Sequence, residues 1–74
     1  MNNLNDYPNH FPIKEEWEEY YKTLEAIKRT GVRVMSEADI YLKECYPDLS
    51  IELASTILMN WQHNYYELAD KYGW

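Results

Sequence analysis

Residues 51–74, IELASTILMNWQHNYYELADKYGW, determine the fold that the sequence predicts. Residues 51–72 contain neither Gly nor Pro, and the stretch stops at Gly73. At 1.5 Å per residue, a helix over 51–72 is about 33 Å long, enough to span a small domain. Around Trp61, apolar side chains recur within an arc of about 120°. These side chains are Ile51, Ala54, Ile57, Leu58, Tyr65, Leu68, Ala69 and Tyr72. The sequence therefore predicts one long C-terminal helix that carries the core.

A first helix is predicted from Pro12, which suits a first helical turn, to a stop at Gly31. Its large apolar residues share one face: Ile13, Trp17, Tyr20, Tyr21, Leu24 and Ile27. Its other face carries two acid–base pairs at the spacing i, i+4, Glu18 with Lys22 and Glu25 with Arg29. That pattern is typical of a solvated face, so the apolar face should pack on the C-terminal helix.

A short middle helix is predicted from Ser36, which forms a capping-box pattern with Asp39, to Cys45. Its inward residues would be Ala38, Tyr41, Leu42 and Cys45. Pro47 ends the helix, and Asp48 or Ser50 can cap the next one. We expect this helix to cap one end of the domain.

The domain organisation follows from these three helices. Residues 1–11 are rich in Asn and show no period, so they are predicted to form a flexible arm. Residues 12–74 should form a single all-α, three-helix domain, since 74 residues hold one domain. Trp74 lies beyond Gly73 and is expected to fold back over the end of the bundle.

Cysteine usage and hydropathy predict a soluble cytoplasmic protein. Cys45 is the single cysteine, which excludes an internal disulfide and favours a reducing compartment. No apolar run approaches the roughly 20 residues of a membrane span, and the first ten residues do not resemble a signal peptide. We therefore expect no membrane association.

The net charge is −6 and is unevenly distributed. Residues 1–35 carry six acids and five bases, whereas residues 36–74 carry seven acids and two bases. The acidic second half should repel DNA and anionic membranes. Charge alone therefore disfavours nucleic acid as a partner.

Met59 and Tyr66 fall outside the apolar stripe of the predicted C-terminal helix. They are seven residues apart and therefore align on one side, with the polar Ser55 and Gln62 between them and the core. A Met and a Tyr in such a setting are typical of a partner-binding surface. Partial burial under the N-terminal arm explains the pattern equally well. We take Met59, Tyr66, Gln62 and Ser55 as the candidate partner-binding residues.

A helix-turn-helix over residues 36–62, acting as a dimer on DNA, is the alternative interpretation. The outward residues of its recognition helix would be Glu52, Ser55, Thr56, Met59, Asn60 and His63, without a Lys or Arg. The basic corner of Lys28, Arg29 and Arg33 would have to supply the phosphate contacts.

No pattern of catalytic or cofactor-binding residues is found. His63, Glu67 and Asp70 share a helical face, but they are more simply a solvated face than a metal site. Cys45 is expected to point inward and lacks an electropositive setting. We predict no enzyme activity, no metal and no cofactor.

Three segments resemble a family of short, uncharacterised helical proteins encoded by bacteriophages and prophages. The segments are EEYYKTLEAIKRTGV at 18–32, ADIYLKECYPDLS at 38–50 and ILMNWQHNYYEL at 57–68, followed by a Tyr-Gly-Trp tail. The resemblance implies a phage origin and a location in the cytoplasm of a bacterial host cell. By analogy with other small acidic phage proteins, it implies binding to a host or phage protein as a regulator or inhibitor, including an inhibitor of host defence. Self-association through the C-terminal helix would give a homodimer.

Overall fold

A computed structural model describes residues 11–31 and 35–74, and all regular structure in these ranges is helical. Helix α1 spans Glu18–Thr30 and follows a 3-10 turn at Glu15–Trp17. Helix α2 spans Ala38–Cys45 and follows a 3-10 turn at Met35–Glu37. Helices α3 and α4 span Ile51–His63 and Tyr65–Tyr72.

The all-α prediction is therefore confirmed, whereas the predicted count of three helices is wrong, since the described ranges hold four. The predicted N-terminal arm lies outside the described residues except for Phe11. Most of the predicted connector at 32–35, including Arg33, also lies outside them.

The two ends of α1 differ in how well the sequence predicted them. The helix begins at Glu18 and not at Pro12, because the backbone of Lys14 is extended (φ −115°, ψ 120°) before the 3-10 turn. The C-terminal stop at Gly31 is confirmed. Gly31 has a φ of 67°, and its N–H donates to the Ile27 carbonyl oxygen at 3.3 Å. A left-handed residue at this position is what glycine permits without steric penalty.

Helix α2 lacks the predicted cap. Its first residue follows Glu37, and no side chain caps it, so the prediction of Ser36 as the cap is wrong. The Asp39 carboxylate accepts hydrogen bonds from the Ile40 N–H at 2.8 Å and from the Ser55 hydroxyl at 2.6 Å instead. The second bond ties α2 to α3, which explains why Asp39 does not complete a capping box.

The inward face of α2 is partly as predicted. Ala38 and Leu42 are fully buried, whereas Cys45 is exposed and its predicted inward position is wrong. Cys45 is the last residue of the helix, and the ring of the next residue, Tyr46, occupies the interior side. That ring packs edge-on against Tyr20 at 4.9 Å between centroids.

The predicted single helix over 51–72 is divided at Asn64, whose backbone leaves helical geometry (φ −103°, ψ 16°). The Asn64 side-chain amide donates to the Phe11 carbonyl at 2.6 Å and to Asn60 Oδ1 at 3.2 Å. The contact with Phe11 comes from a segment distant in sequence, so periodicity could not reveal it. At the other end of α3, Ser50 is confirmed as the cap, because its hydroxyl accepts from the Leu53 N–H at 3.0 Å.

The core lies where α1, α2 and the α3–α4 pair meet. Its fully buried large side chains are Tyr21, Leu24, Leu42, Ile57 and Leu68, with Trp61 and Ile27 nearly so. The predicted face of α1 therefore packs on the α3–α4 stripe. Ile51 is an exception, since it is 39% exposed as the first residue of α3 and its predicted core position is wrong.

Trp74 folds back, as predicted. Its N–H donates to the Ala69 carbonyl at 2.9 Å across Gly73, which has a φ of 75°. The partly buried indole packs against Tyr72 and Tyr65, with centroid distances of 5.4 and 6.1 Å. Within the described ranges, no helix has the length and apolar character needed to cross a membrane.

Candidate protein-binding surface

Tyr66 has the most exposed large apolar side chain of the described residues, at 88%. The other ten described aromatic side chains are buried or partly buried. Tyr66 follows Tyr65 at the start of α4, and the turn of about 100° between neighbouring helical residues sends the two rings in different directions. Tyr65 turns towards Trp61 (5.0 Å between centroids), while the Tyr66 ring contacts the Tyr65 ring at 5.9 Å. The Tyr66 ring is thus exposed and does not belong to the core.

Met59 is the second exposed residue of the candidate surface, at 54%. It lies in α3 between Leu58 and Asn60, both of which are buried. Because Asn64 divides the two helices, Met59 belongs to α3 and Tyr66 to α4. The helical-wheel alignment of Met59 with Tyr66 assumed one continuous helix, whereas the non-helical Asn64 lies between them.

The two polar residues of the predicted surface have different surroundings. Gln62 is exposed. Ser55 is partly buried and donates to Asp39, so it takes part in the contact between α2 and α3. We use "the Met59–Tyr66 surface" below for Met59, Gln62 and Tyr66.

The six described cationic side chains all have intramolecular partners. Four lysine ammonium groups lie 5.2 to 5.8 Å from aromatic ring centroids, namely Lys14 over Trp17, Lys22 and Lys71 over Tyr72, and Lys28 over Tyr65. Such cation–π contacts are favourable, most of all where the ring is partly desolvated. Lys43 donates to the Leu49 carbonyl at 2.9 Å, and Arg29 pairs with Glu25 at 2.7 Å.

Both described residues of the predicted basic corner, Lys28 and Arg29, make such intramolecular contacts. Lys28 lies over the Tyr65 ring, and Arg29 donates to Glu25, whose hydrogen bond raises the pKa of the guanidinium. Arg33, the third member, lies outside the described residues. Neither described member is therefore an unengaged cation of the kind that phosphate contacts use.

Most of the described acidic side chains, in contrast to the cationic ones, have no intramolecular partner. Eight of the twelve described acids are exposed and have no ion pair or side-chain hydrogen bond within residues 11–31 and 35–74. They are Glu15, Glu16, Glu37, Glu44, Asp48, Glu52, Glu67 and Asp70. Two of them, Glu67 and Asp70, lie in α4 directly after Tyr66. The charge available to a partner near Tyr66 is therefore negative.

Glu25 was missed by the sequence analysis, which assigned it to a solvated face. Its side chain is buried, and the carboxylate accepts from Arg29 Nε at 2.7 Å and from the Tyr65 hydroxyl at 2.9 Å. It therefore links α1 to α4. The i, i+4 pairs themselves are confirmed, since Lys22 also meets Glu18 at 2.8 Å.

Asn60 was also misjudged, and Asn64 was not singled out by the sequence. The DNA-binding interpretation placed Asn60 on the outward face, but both asparagines are buried and hydrogen-bonded to the segment before α1. Two asparagines at i, i+4 within an apolar helix were the available signal, because buried amides require partners. His63 lies next to them, with its ring 4.6 Å from that of Phe11. No group of three metal-ligating side chains occurs in the described part of the chain.

Searches with family models, curated proteins and solved structures found no match to this chain.

Proposed function

We propose that this chain is a small interaction protein that docks on a cationic protein surface through Met59, Gln62 and Tyr66. The single observation that carries the proposal is the exposure of Tyr66 in a chain whose other described aromatic rings are all at least partly buried. Tyrosine is a common anchor in protein interfaces, because it buries a large area with few rotatable bonds. Met59 adds a flexible apolar side chain that adapts to a partner.

The chemistry of the partner follows from charge. The described cations are engaged within the molecule, whereas Glu67 and Asp70 beside Tyr66 have no cationic partner in the described ranges. On this protein, the exposed apolar side chains have acidic residues beside them. The complementary surface on a partner is an apolar patch surrounded by Lys and Arg. Such complementarity accelerates encounter and disfavours acidic proteins as partners.

The resemblance to phage-encoded proteins directs the proposal to a host or phage protein in a bacterial cell. Binding by a regulator or inhibitor, including an anti-defence inhibitor, requires a docking surface and no catalytic group. This agrees with the non-enzymatic role expected from the sequence.

Site-specific photocrosslinking in bacterial cells tests this function. A photoreactive phenylalanine replaces Tyr66 in one variant and Ile40 in a matched control, since Ile40 is 52% exposed but lies on α2. We expect a discrete protein adduct from position 66, and none, or a much weaker one, from position 40. Equal adducts from the two positions, or none from either, would contradict the proposed surface.

Self-association through α3 and α4 is a second use of the same residues. If it occurs, light scattering at high protein concentration should give a dimer mass that reverts to the monomer in Tyr66→Ser. A monomer across the concentration range removes this possibility and leaves the heterologous partner.

DNA binding by a helix-turn-helix dimer has less support, because Lys28 and Arg29 are engaged with Tyr65 and Glu25. A gel shift with random DNA at low salt separates the two functions, since non-specific binding by a DNA-binding protein is strongest there. We expect no shift.

A further inference from the structure

The helix over residues 51–72 is interrupted at Asn64, where the sequence contains no helix breaker. Residues 51–72 include neither Gly nor Pro, and the apolar spacing continues across the junction. Sharp helix kinks usually have an identifiable cause, such as a proline or a group inserted into the hydrogen-bond ladder. The cause of this interruption must therefore lie outside the helix itself.

The segment formed by residues 11–14, which we call the strap, is hydrogen-bonded to the residues at this interruption. Asn64 donates to the Phe11 carbonyl at 2.6 Å, and Asn60 donates to the Pro12 carbonyl at 2.8 Å. The Lys14 N–H donates to the Tyr21 hydroxyl at 3.0 Å. The extended strap is thus held by polar side chains from α1, α3 and the junction.

These contacts form one buried network. Asn60 Oδ1 accepts from the Tyr21 hydroxyl at 2.8 Å and from Asn64 at 3.2 Å, and Asn60 and Asn64 are 3% and 8% exposed. Buried amides must be paired, and Asn64 is turned inward by two acceptors, the Phe11 carbonyl of the strap and Asn60 Oδ1. Without the strap, Asn64 loses the shorter of these two hydrogen bonds and has to replace it with water.

We propose that the strap is a conformational device that sets the geometry of the α3–α4 junction. With the strap docked, residue 64 is non-helical and the two helices are separate. With the strap released, the N–H groups at the start of α4 can join the ladder of α3, and residues 51–72 form the continuous helix that their pattern favours.

The two states differ at the Met59–Tyr66 surface. Seven residues of continuous helix turn the chain by about 700°, which places Met59 and Tyr66 within about 20° of each other on one face. In the state with the strap docked they belong to separate helices. The strap therefore determines whether these side chains share one continuous helix, and this inference rests on the hydrogen bonds and not on the proposed function.

The test uses Asn64→Asp in the full chain. Asn and Asp have similar helix propensities, so the substitution removes the amide donors with little change in local preference. We expect the three-bond HN–Hα coupling of residue 64 to fall from the large value of a φ near −103° to a small helical value. The Lys14 amide should also lose its protection from hydrogen exchange, because the strap opens.

Gln62→Glu is the matched control, since it adds the same charge to an exposed side chain two residues away and should change neither signal. Phe11→Ala is the second variant, because it removes the ring contact with His63 and leaves residue 64 intact. The result that would overturn the proposal is loss of Lys14 protection in either folded variant while the coupling of residue 64 stays large. That outcome would show that residue 64 stays non-helical without the strap.

Discussion

Glu25 and Glu18 occupy the same sequence pattern and have different environments. Each precedes a base by four residues on α1, yet Glu25 is 5% exposed while nearly half of the Glu18 side chain is accessible. The difference arises because Tyr65 of α4 packs over Glu25 and donates its hydroxyl to the carboxylate. Charge spacing predicts the ion pair, but it cannot predict which pair a distant helix will cover.

Glu25→Ala should therefore destabilise the fold far more than Glu18→Ala. Removing Glu25 leaves the Tyr65 hydroxyl without its acceptor, and an unsatisfied group of this kind costs about 1–3 kcal/mol. Exposed ion pairs contribute little, so Glu18→Ala is the matched control. Urea denaturation of both variants measures the difference, and equal losses of unfolding free energy would show that the contact with Tyr65 contributes nothing.

Burial of Tyr21 makes the free energy of unfolding depend on pH in the alkaline range. Its hydroxyl is buried, and this burial raises its pKa above the ordinary tyrosine value of about 10. Burial likewise raises the pKa of Tyr46. In each case the folded state favours the neutral phenol. This stabilisation is therefore fully present at pH values below the tyrosine pKa of the unfolded chain. It is lost as pH rises through the tyrosine pKa of the folded chain.

We expect the free energy of unfolding to fall as pH is raised past about 10, because ionised Tyr21 cannot stay buried without cost. Tyr21→Phe should reduce this alkaline dependence, while also lowering stability at neutral pH through loss of the hydrogen bond to Asn60. Tyr66→Phe, at an exposed position, serves as the control. Denaturation curves at neutral and alkaline pH in the wild type and both variants give the comparison. An alkaline loss that is the same in Tyr21→Phe would contradict this assignment.

Helix ends show which local signals are reliable. Ser36 and Ser50 both precede a helix, but the Ser50 hydroxyl alone accepts from a helical N–H. We predict that Ser50→Ala lowers the free energy of unfolding by about 1 kcal/mol, whereas Ser36→Ala has little effect. Chemical denaturation of the two variants is the measurement. A larger loss for Ser36→Ala would show that the capping-box pattern is used after all.

Elements set by local chemistry were predicted from the sequence, and elements set by distant contacts were not. Gly31 stops α1 through its own left-handed conformation, and the apolar stripe of α3 places Ile57 and Trp61 in the core. Asn64, where α3 and α4 are divided, donates to the carbonyl of Phe11, 53 residues away in the chain. No periodicity records such a contact.

The same limit applies to the candidate surface. The wheel placed Met59 and Tyr66 outside the core stripe, and both are exposed. It also left Ser55 beside them, because the hydrogen bond from Ser55 to Asp39 of α2 depends on how two helices pack. Exposure of single residues could be predicted, whereas membership of an interface between helices could not.

At the scale of the molecule, within residues 11–31 and 35–74, the cations have intramolecular partners whereas eight of the twelve acids are exposed and unpaired. We therefore predict that Glu67→Gln with Asp70→Asn slows association with the crosslinked partner severalfold at low salt and has less effect at high salt. Glu15→Gln with Glu16→Gln removes the same charge ahead of α1 and is the matched control. The measurement is the association rate constant of each double variant across a series of salt concentrations. If both double variants slow association equally, the net charge of the protein determines the rate, and the position of the acids beside Tyr66 has no specific effect.

The most direct measurement is the affinity of the purified partner for the wild type, Tyr66→Ser and Ile40→Ser. The central claim is that Tyr66 anchors the interface, and loss of a buried aromatic anchor weakens binding by roughly tenfold or more. We predict a weakening of that size for Tyr66→Ser and an unchanged affinity for Ile40→Ser, with both variants as stable as the wild type. An unchanged affinity for Tyr66→Ser, or an equal loss for Ile40→Ser, would contradict the claim.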